Sequence, residues 1–95
     1  MKVYISGKMK GLSNDTSQAL FKEAEIKLTE QGYIPVNPWH ISHLSNKWEE
    51  KIIHDLNILK TCDGIYMLNN WKDSYGATVE YYFAKGSGLK IMGEI

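Results

Sequence analysis

The sequence is poor in cysteine: Cys62 stands alone, which excludes an internal disulfide and with it a disulfide-built scaffold. It also lacks an excess of charge, with 11 basic and 11 acidic residues. Nucleic-acid polymers and acidic membrane surfaces select a basic excess, so neither is an expected partner. No long apolar run occurs, and Met1-Lys2-Val3-Tyr4-Ile5 passes straight into a strand pattern without a leader, so a cytoplasmic protein is expected. Repeats, low-complexity tracts and linkers are absent, and residues 1–95 read as one small domain. A chain this short buries only about 60–65% of its unfolded surface, and self-association would add burial. Trp48, Trp71, Tyr81, Tyr82 and Phe83 offer more aromatic surface than one small sheet easily hides, which again points to a homo-oligomer.

What is present alternates between two periods. Lys2 to Ser6 is a β-branched and aromatic run ended by Gly7, a first strand. Ser13, Asn14 and Asp15 offer N-caps to a helix carrying Phe21, Ala24 and Leu28 at helical spacing, stopped at Gln31-Gly32. Tyr33 to Val36 is a second strand, and Pro35 within it favours an edge, because proline cannot donate to a ladder. Trp48, Ile52, Ile53, Leu56 and Leu59 mark a second helix, and Gly64 to Leu68 a buried third strand. A third helix runs from Ser74 to the Gly86-Ser87-Gly88 stop, and Leu89 to Met92 forms a fourth strand.

Strands alternating with helices require right-handed crossovers and a parallel sheet covered on both faces. The expected fold is therefore a three-layer α/β domain of Rossmann-like, flavodoxin-like type, with sheet order 2-1-3-4 and a switch point between strands one and three. Ligands bind at that crevice, beyond the carboxyl ends of the strands.

Two stretches converge there. Gly7-Lys8-Met9-Lys10-Gly11 is a glycine-bounded loop with two cations, able to wrap an anion or to be a plain solvated turn. Asp73 to Glu80 is a strand-to-helix turn in which Ser74 caps, Gly76 lets a ligand approach the backbone, and Glu80 follows one turn later. A carboxylate near a helix start is expected to be held ionised by the dipole, which suits a nucleophile; the same placement also serves the helix alone. On the second helix, at about 100° per residue, Asp55 borders the apolar stripe, where it serves proton transfer or simply bonds a neighbouring loop. Trp39 either stacks on a flat ligand or pins its loop to the domain. His40 and His43 lie three apart with no acidic or thiol partner near in sequence, so a metal site is not expected, nor any cofactor. Cys62 reads as a space filler.

Tyr4-Ile5-Ser6-Gly7, His54-Asp55-Leu56 before Cys62-Asp63-Gly64, and Ser74-Tyr75-Gly76-Ala77-Thr78-Val79-Glu80 together resemble the nucleoside 2-deoxyribosyltransferase superfamily, including its deoxynucleoside-5'-monophosphate N-glycosidases. The chain is most similar to a compact phage and bacterial group that begins with a comparable Tyr-Ile-Ser-Gly-x-Met-x-Gly. The resemblance spans nearly the whole chain. It implies Glu80 as nucleophile, Asp55 as assistant at the base and Tyr4 as orienting group. It further implies that Gly7, Lys8, Lys10, Gly11, Ser74 and Gly76 hold a 5'-phosphate. Tyr82 departs from the pattern, since many members carry a small residue there, and its bulk would crowd the sugar. The implied function is cleavage or transfer at the N-glycosidic bond of a nucleoside or nucleotide through a glycosyl-enzyme. The alternatives are a nucleotide-binding module without turnover and a structural dimerisation domain.

Overall fold

In the computed structural model, which describes residues 1–93, four parallel strands and three helices alternate. The order is β1 (Lys2–Ser6), α1 (Asn14–Glu30), β2 (Ile34–Val36), α2 (Trp48–Leu59), β3 (Gly64–Met67), α3 (Tyr75–Gly86) and β4 (Lys90–Gly93), with one-turn 3-10 segments at Pro38–His40 and Trp71–Asp73. The sheet order is β2-β1-β3-β4, as the alternation requires. Pro35 indeed lies on the edge, since β2 pairs with β1 alone.

Strand β1 divides the interior. Its side chains alternate in direction, so Val3 and Ile5 join Phe21, Ala24 and Leu28 of α1, while Tyr4 joins Leu59 of α2 and Ala77 and Ala84 of α3. Val3 to Ser6 and Gly64 to Met67 are buried throughout, as central strands covered on both faces must be. Helix α1 seats Ser17, Phe21, Ala24 and Leu28, one stripe of a 3.6-residue period. Ser13 caps it by accepting from the Thr16 N–H at 3.1 Å.

Helix α2 departs from its expected pattern. Leu59 alone is fully buried, whereas Trp48 and Ile53 are exposed. The cause is position: the N-terminal half of α2 overhangs a cleft instead of the sheet, with Trp48, Lys51, Ile52 and Asp55 on its wall. The aromatic surface is also smaller than expected, because Trp71 is buried and stacks on Tyr81 with ring centroids 4.3 Å apart. Trp48, Ile53, Tyr75 and Tyr82 remain exposed. Trp39 is a pin, packed on the α1 side, with its indole Nε1 donating to the Ser17 hydroxyl at 3.2 Å. Cys62 is buried, and burial pushes its thiol up, as suits a space filler. Among the described residues no helix is long and apolar enough to cross a membrane.

Gly7 is set by packing. A Cβ there would fall 2.6 Å from Leu68 Cδ1, and Leu68 is itself buried. Gly7→Ala is therefore expected to lower stability by about 1–3 kcal/mol in chemical denaturation, the usual cost of forcing a methyl into a filled core. Combined with Leu68→Ala, which removes Cγ and Cδ1 but keeps the Leu68 Cβ at 2.8 Å from the new methyl, it should cost less than the sum of the two single losses, with part of the clash remaining.

Candidate active site

The carboxyl edge of the sheet opens into a cleft of about 640 Å³, within the range of roughly 300–1,000 Å³ usual for small-ligand sites. Tyr4 lies at its base, α2 and the start of α3 form two walls, and Gly7, Met9 and Lys10 of the loop after β1 form a third. Strand β1 sits between β2 and β3, so the chain leaves it to one side and β3 to the other, and the crevice lies at that divergence.

Glu80 is the centre of the site. It is 6% exposed, and both of its oxygens are held: the Tyr4 hydroxyl donates to Oε2 at 2.7 Å and the Ser6 hydroxyl to Oε1 at 2.7 Å. Tyr4 and Ser6 are alternate residues of β1 and so share the face beneath α3. Ser6 stands in the Tyr4-Ile5-Ser6-Gly7 motif but is given no role there; the strand period, read together with Tyr4, is the signal that points to it.

The dipole expectation for Glu80 does not hold. Helix α3 starts at Tyr75, so Glu80 lies in its second turn, beyond the reach of the terminal partial charge. Burial decides instead and pushes the carboxyl up to about 7; the bonds from Tyr4 and Ser6 oppose the rise, and the charge of Asp55 adds to it. Burial likewise lifts the Tyr4 phenol well above the usual tyrosine range, with the Glu80 charge second, so Tyr4 stays a donor.

Asp55 lines the cleft and meets a partner that the sequence did not suggest. Its Oδ1 lies 2.8 Å from His43 Nε2, in the loop before α2, and His43 in turn meets the His54 ring edge-on at 5.2 Å. From the sequence, His43 stands out only by its spacing from His40. The two histidines serve different carboxylates, His40 Nε2 lying 3.1 Å from Glu25 Oε1.

Seven of the nine anticipated residues reach the cleft: Tyr4, Glu80, Asp55, Gly7, Lys10, Ser74 and Gly76. Lys8 and Gly11 do not line it. The Lys8 N–H donates to Asn70 Oδ1 at 2.9 Å, and its side chain folds over Gly11, where a Cβ would lie 3.3 Å from Lys8 Cε. The loop thus spends its backbone on the protein itself. Ser74 caps α3 by accepting from the Ala77 N–H at 3.2 Å, which leaves its hydroxyl proton for another acceptor. Gly76 is not demanded by packing, since a Cβ there would meet only Ile52 Cδ1 at an ordinary 3.7 Å. Tyr82 is exposed and does not line the cleft, so it does not crowd it.

A family model described as a domain of unknown function (DUF4406) matches residues 1–93. A search of curated proteins returns no match. Among solved structures, the chain is similar to a 2-deoxyribosyltransferase from Leishmania mexicana, with a TM-score of 0.71 and 14% identity over 97% of this chain and 62% of that one. It is also similar to a CMP N-glycosidase from Clostridium botulinum, with a TM-score of 0.66 and 18% identity over 98% of this chain and 67% of that one. The chain therefore spans roughly two thirds of the length of these structures, and what the likeness establishes is the shared flavodoxin-like fold.

The raised carboxyl of Glu80 has a consequence for stability. Between its unfolded value near 4.5 and its folded value of about 7, the folded state holds a proton that the unfolded chain has shed, so stability falls as pH rises through that window. Removing the titration with Glu80→Gln should therefore stabilise the protein at alkaline pH. The full linkage is about 3 kcal/mol, and we expect about 2, because an amide offers one acceptor oxygen where the carboxylate offers two. Thermal melts across pH would show the gain above about pH 8 and its disappearance below about pH 4. A gain independent of pH would place the titrating group elsewhere.

Proposed function

The chain belongs to the DUF4406 family, which has the fold of the nucleoside 2-deoxyribosyltransferase superfamily, and from that premise we propose that it breaks or exchanges the N-glycosidic bond of a nucleoside or nucleoside 5'-monophosphate. The observation that carries the reading is Glu80: a buried carboxylate opening on a cleft, gripped through both oxygens and poised near neutrality. A carboxyl near pKa 7 is a more basic, and so stronger, nucleophile than an ordinary one, yet about half of it is ionised at neutral pH.

In this reading Glu80 attacks C1' while the C1'–N bond breaks and its electron pair leaves with the base. The transition state is oxocarbenium-like and yields a glycosyl ester on Glu80. Tyr4 and Ser6 fix the carboxylate while it attacks, and the same two donors receive its charge when the ester is later cleaved. Asp55, oriented by His43, accepts from or returns a proton to the base. Water completes hydrolysis, and a second base completes transfer.

The 5'-phosphate belongs with Lys10, the Ser74 hydroxyl and the free N–H of Gly76 at the start of α3. Lys8 and Gly11, engaged with each other and with Asn70, drop out of that set. Self-association and a small-molecule nucleotide as ligand are part of the same proposal. A second copy would cover Ile53 and Tyr82, both exposed on the helices of the cleft side.

The test is covalent trapping. A 2'-fluoro-arabino nucleotide destabilises the oxocarbenium-like transition state and should accumulate as an ester. Mass spectrometry should find the sugar phosphate added, the base released, and the adduct within residues 74–85; Glu80→Ala should not label. Binding of the analogue with no base release would favour a nucleotide-binding module over an enzyme. Separately, Lys10→Glu should weaken a monophosphate about tenfold or more while leaving the matching nucleoside nearly unchanged, in calorimetric titration. Equal losses for both ligands would remove Lys10 from the phosphate site.

A further inference from the structure

Lys51 lines the cleft from α2, is half-buried, and its ammonium makes no hydrogen bond or ion pair among the described residues. A cation on the wall of a cleft with no ion-pair partner of its own is left to donate to a ligand that carries an acceptor. The obvious neighbour does not serve. Asp55 stands four residues later on the same helix face, but its carboxylate meets His43 instead.

The position of Lys51 along the cleft is fixed by the direction of α2. In a parallel sheet the crossover helix runs against the strands, so its N-terminus lies at the open carboxyl edge. Lys51 therefore sits about one turn, roughly 5 Å, nearer the mouth than Asp55. Trp48 marks the rim: its ring and that of Tyr75, from the first turn of α3, lie 5.3 Å apart at 59°, and both line the cleft. These two rings are 46% and 75% exposed, a large apolar surface left open at the entrance.

A base whose glycosidic nitrogen is near Asp55 would extend toward this rim. One of its flat faces would meet the tilted pair Trp48 and Tyr75, and its far edge would meet Lys51. We infer that Lys51, with Trp48 and Tyr75, forms a base-recognition subsite that selects a base with an oxo group at the edge opposite the glycosidic bond, a 4-oxopyrimidine or a 6-oxopurine. The inference rests on the proposed reaction for its orientation. Its chemistry is that of a donor-only side chain: three N–H groups and no acceptor favour a carbonyl oxygen over an amino group. In the reaction, the electron pair of the breaking C1'–N bond passes into the base, and in an oxo base part of that charge is delocalised onto this oxygen. The Lys51 ammonium then stabilises the departing anion, which afterwards takes its proton from the Asp55–His43 pair or from water.

The probe is a pair of ligands differing at ring position 4 and in the N3 proton that goes with it: 2'-deoxyuridine and 2'-deoxycytidine 5'-monophosphates. Lys51→Met, which keeps the stem and loses the charge, should lower kcat/KM for the 4-oxo substrate about tenfold or more beyond any loss for the 4-amino one. Lys51→Arg should restore the preference. Thermal stability should not fall in Lys51→Met, because no partner is orphaned. Equal losses for the two substrates would overturn the subsite, as would a loss that follows the 5'-phosphate when nucleosides and nucleotides are compared. If the wild-type protein releases base from neither, the proposed reaction fails, and the subsite is judged on the dissociation constants of the same pair. A preference for the oxo ligand that Lys51→Met abolishes would sustain it, whereas equal affinities or no binding of either would refute it.

Discussion

The structure turns on one unfavourable act, the burial of the Glu80 carboxyl. A carboxylate moved out of water without partners would simply protonate or unfold its surroundings. Here two hydroxyls, from Tyr4 and Ser6, each donate at 2.7 Å and hold the group near its midpoint at neutral pH. That arrangement needs β1 in the middle of the sheet. Only a central strand, buried on both faces, can offer two successive inward hydroxyls under a helix while Val3 and Ile5 anchor it from behind. The helix must in turn start beside the cleft and bring its second turn over β1, which the Ser74 cap and the 3-10 segment at Trp71–Asp73 arrange. Core packing and site chemistry are thus one problem for this chain: Tyr4 is at once part of the α2 and α3 core and the donor that grips Glu80.

The same constraint explains what could be read in the sequence. Periodicity reports which face of an element is buried, so the four strands, three helices and sheet order were legible and the turn that leads to Glu80 could be put at the carboxyl edge, whereas Tyr4 and the role of Asp55 came only with the family resemblance. The misreadings are contacts between residues far apart in the chain. The Lys8 N–H is taken by Asn70, 62 positions away, and nothing near Lys8 announces it. The partner of Asp55 is a histidine in an irregular loop, where no period exists to say which way a side chain points. The apolar stripe of α2 was visible, but not that half of it faces a cleft; periodicity cannot tell a wall of a site from a wall of a core. The dipole reading of Glu80 misjudged two competing effects. A helix terminus contributes at most about 1–2 kcal/mol and fades within a turn, while desolvation of a buried carboxyl is worth several.

The cleft has a division of charge that follows from this. Glu80 already feels Asp55 as a like charge that raises it further. A phosphate dianion brought close to Glu80 would push the carboxyl higher still and deplete the ionised form on which the proposed attack depends. A phosphorylated ligand is therefore tolerable only if its phosphate is held away from Glu80 and neutralised where it sits. The cations that line the cleft, Lys10 on the loop after β1 and Lys51 on α2, approach from separate walls, while Tyr4 at the base offers Glu80 a hydroxyl and no charge. An opposite charge beside Glu80 would have lowered its pKa; neutral donors hold it in place and leave it basic, which is what the proposed nucleophilic role requires. The charge of Glu80 is thus balanced by dipoles alone, and the two lysines that line the cleft stand on other walls.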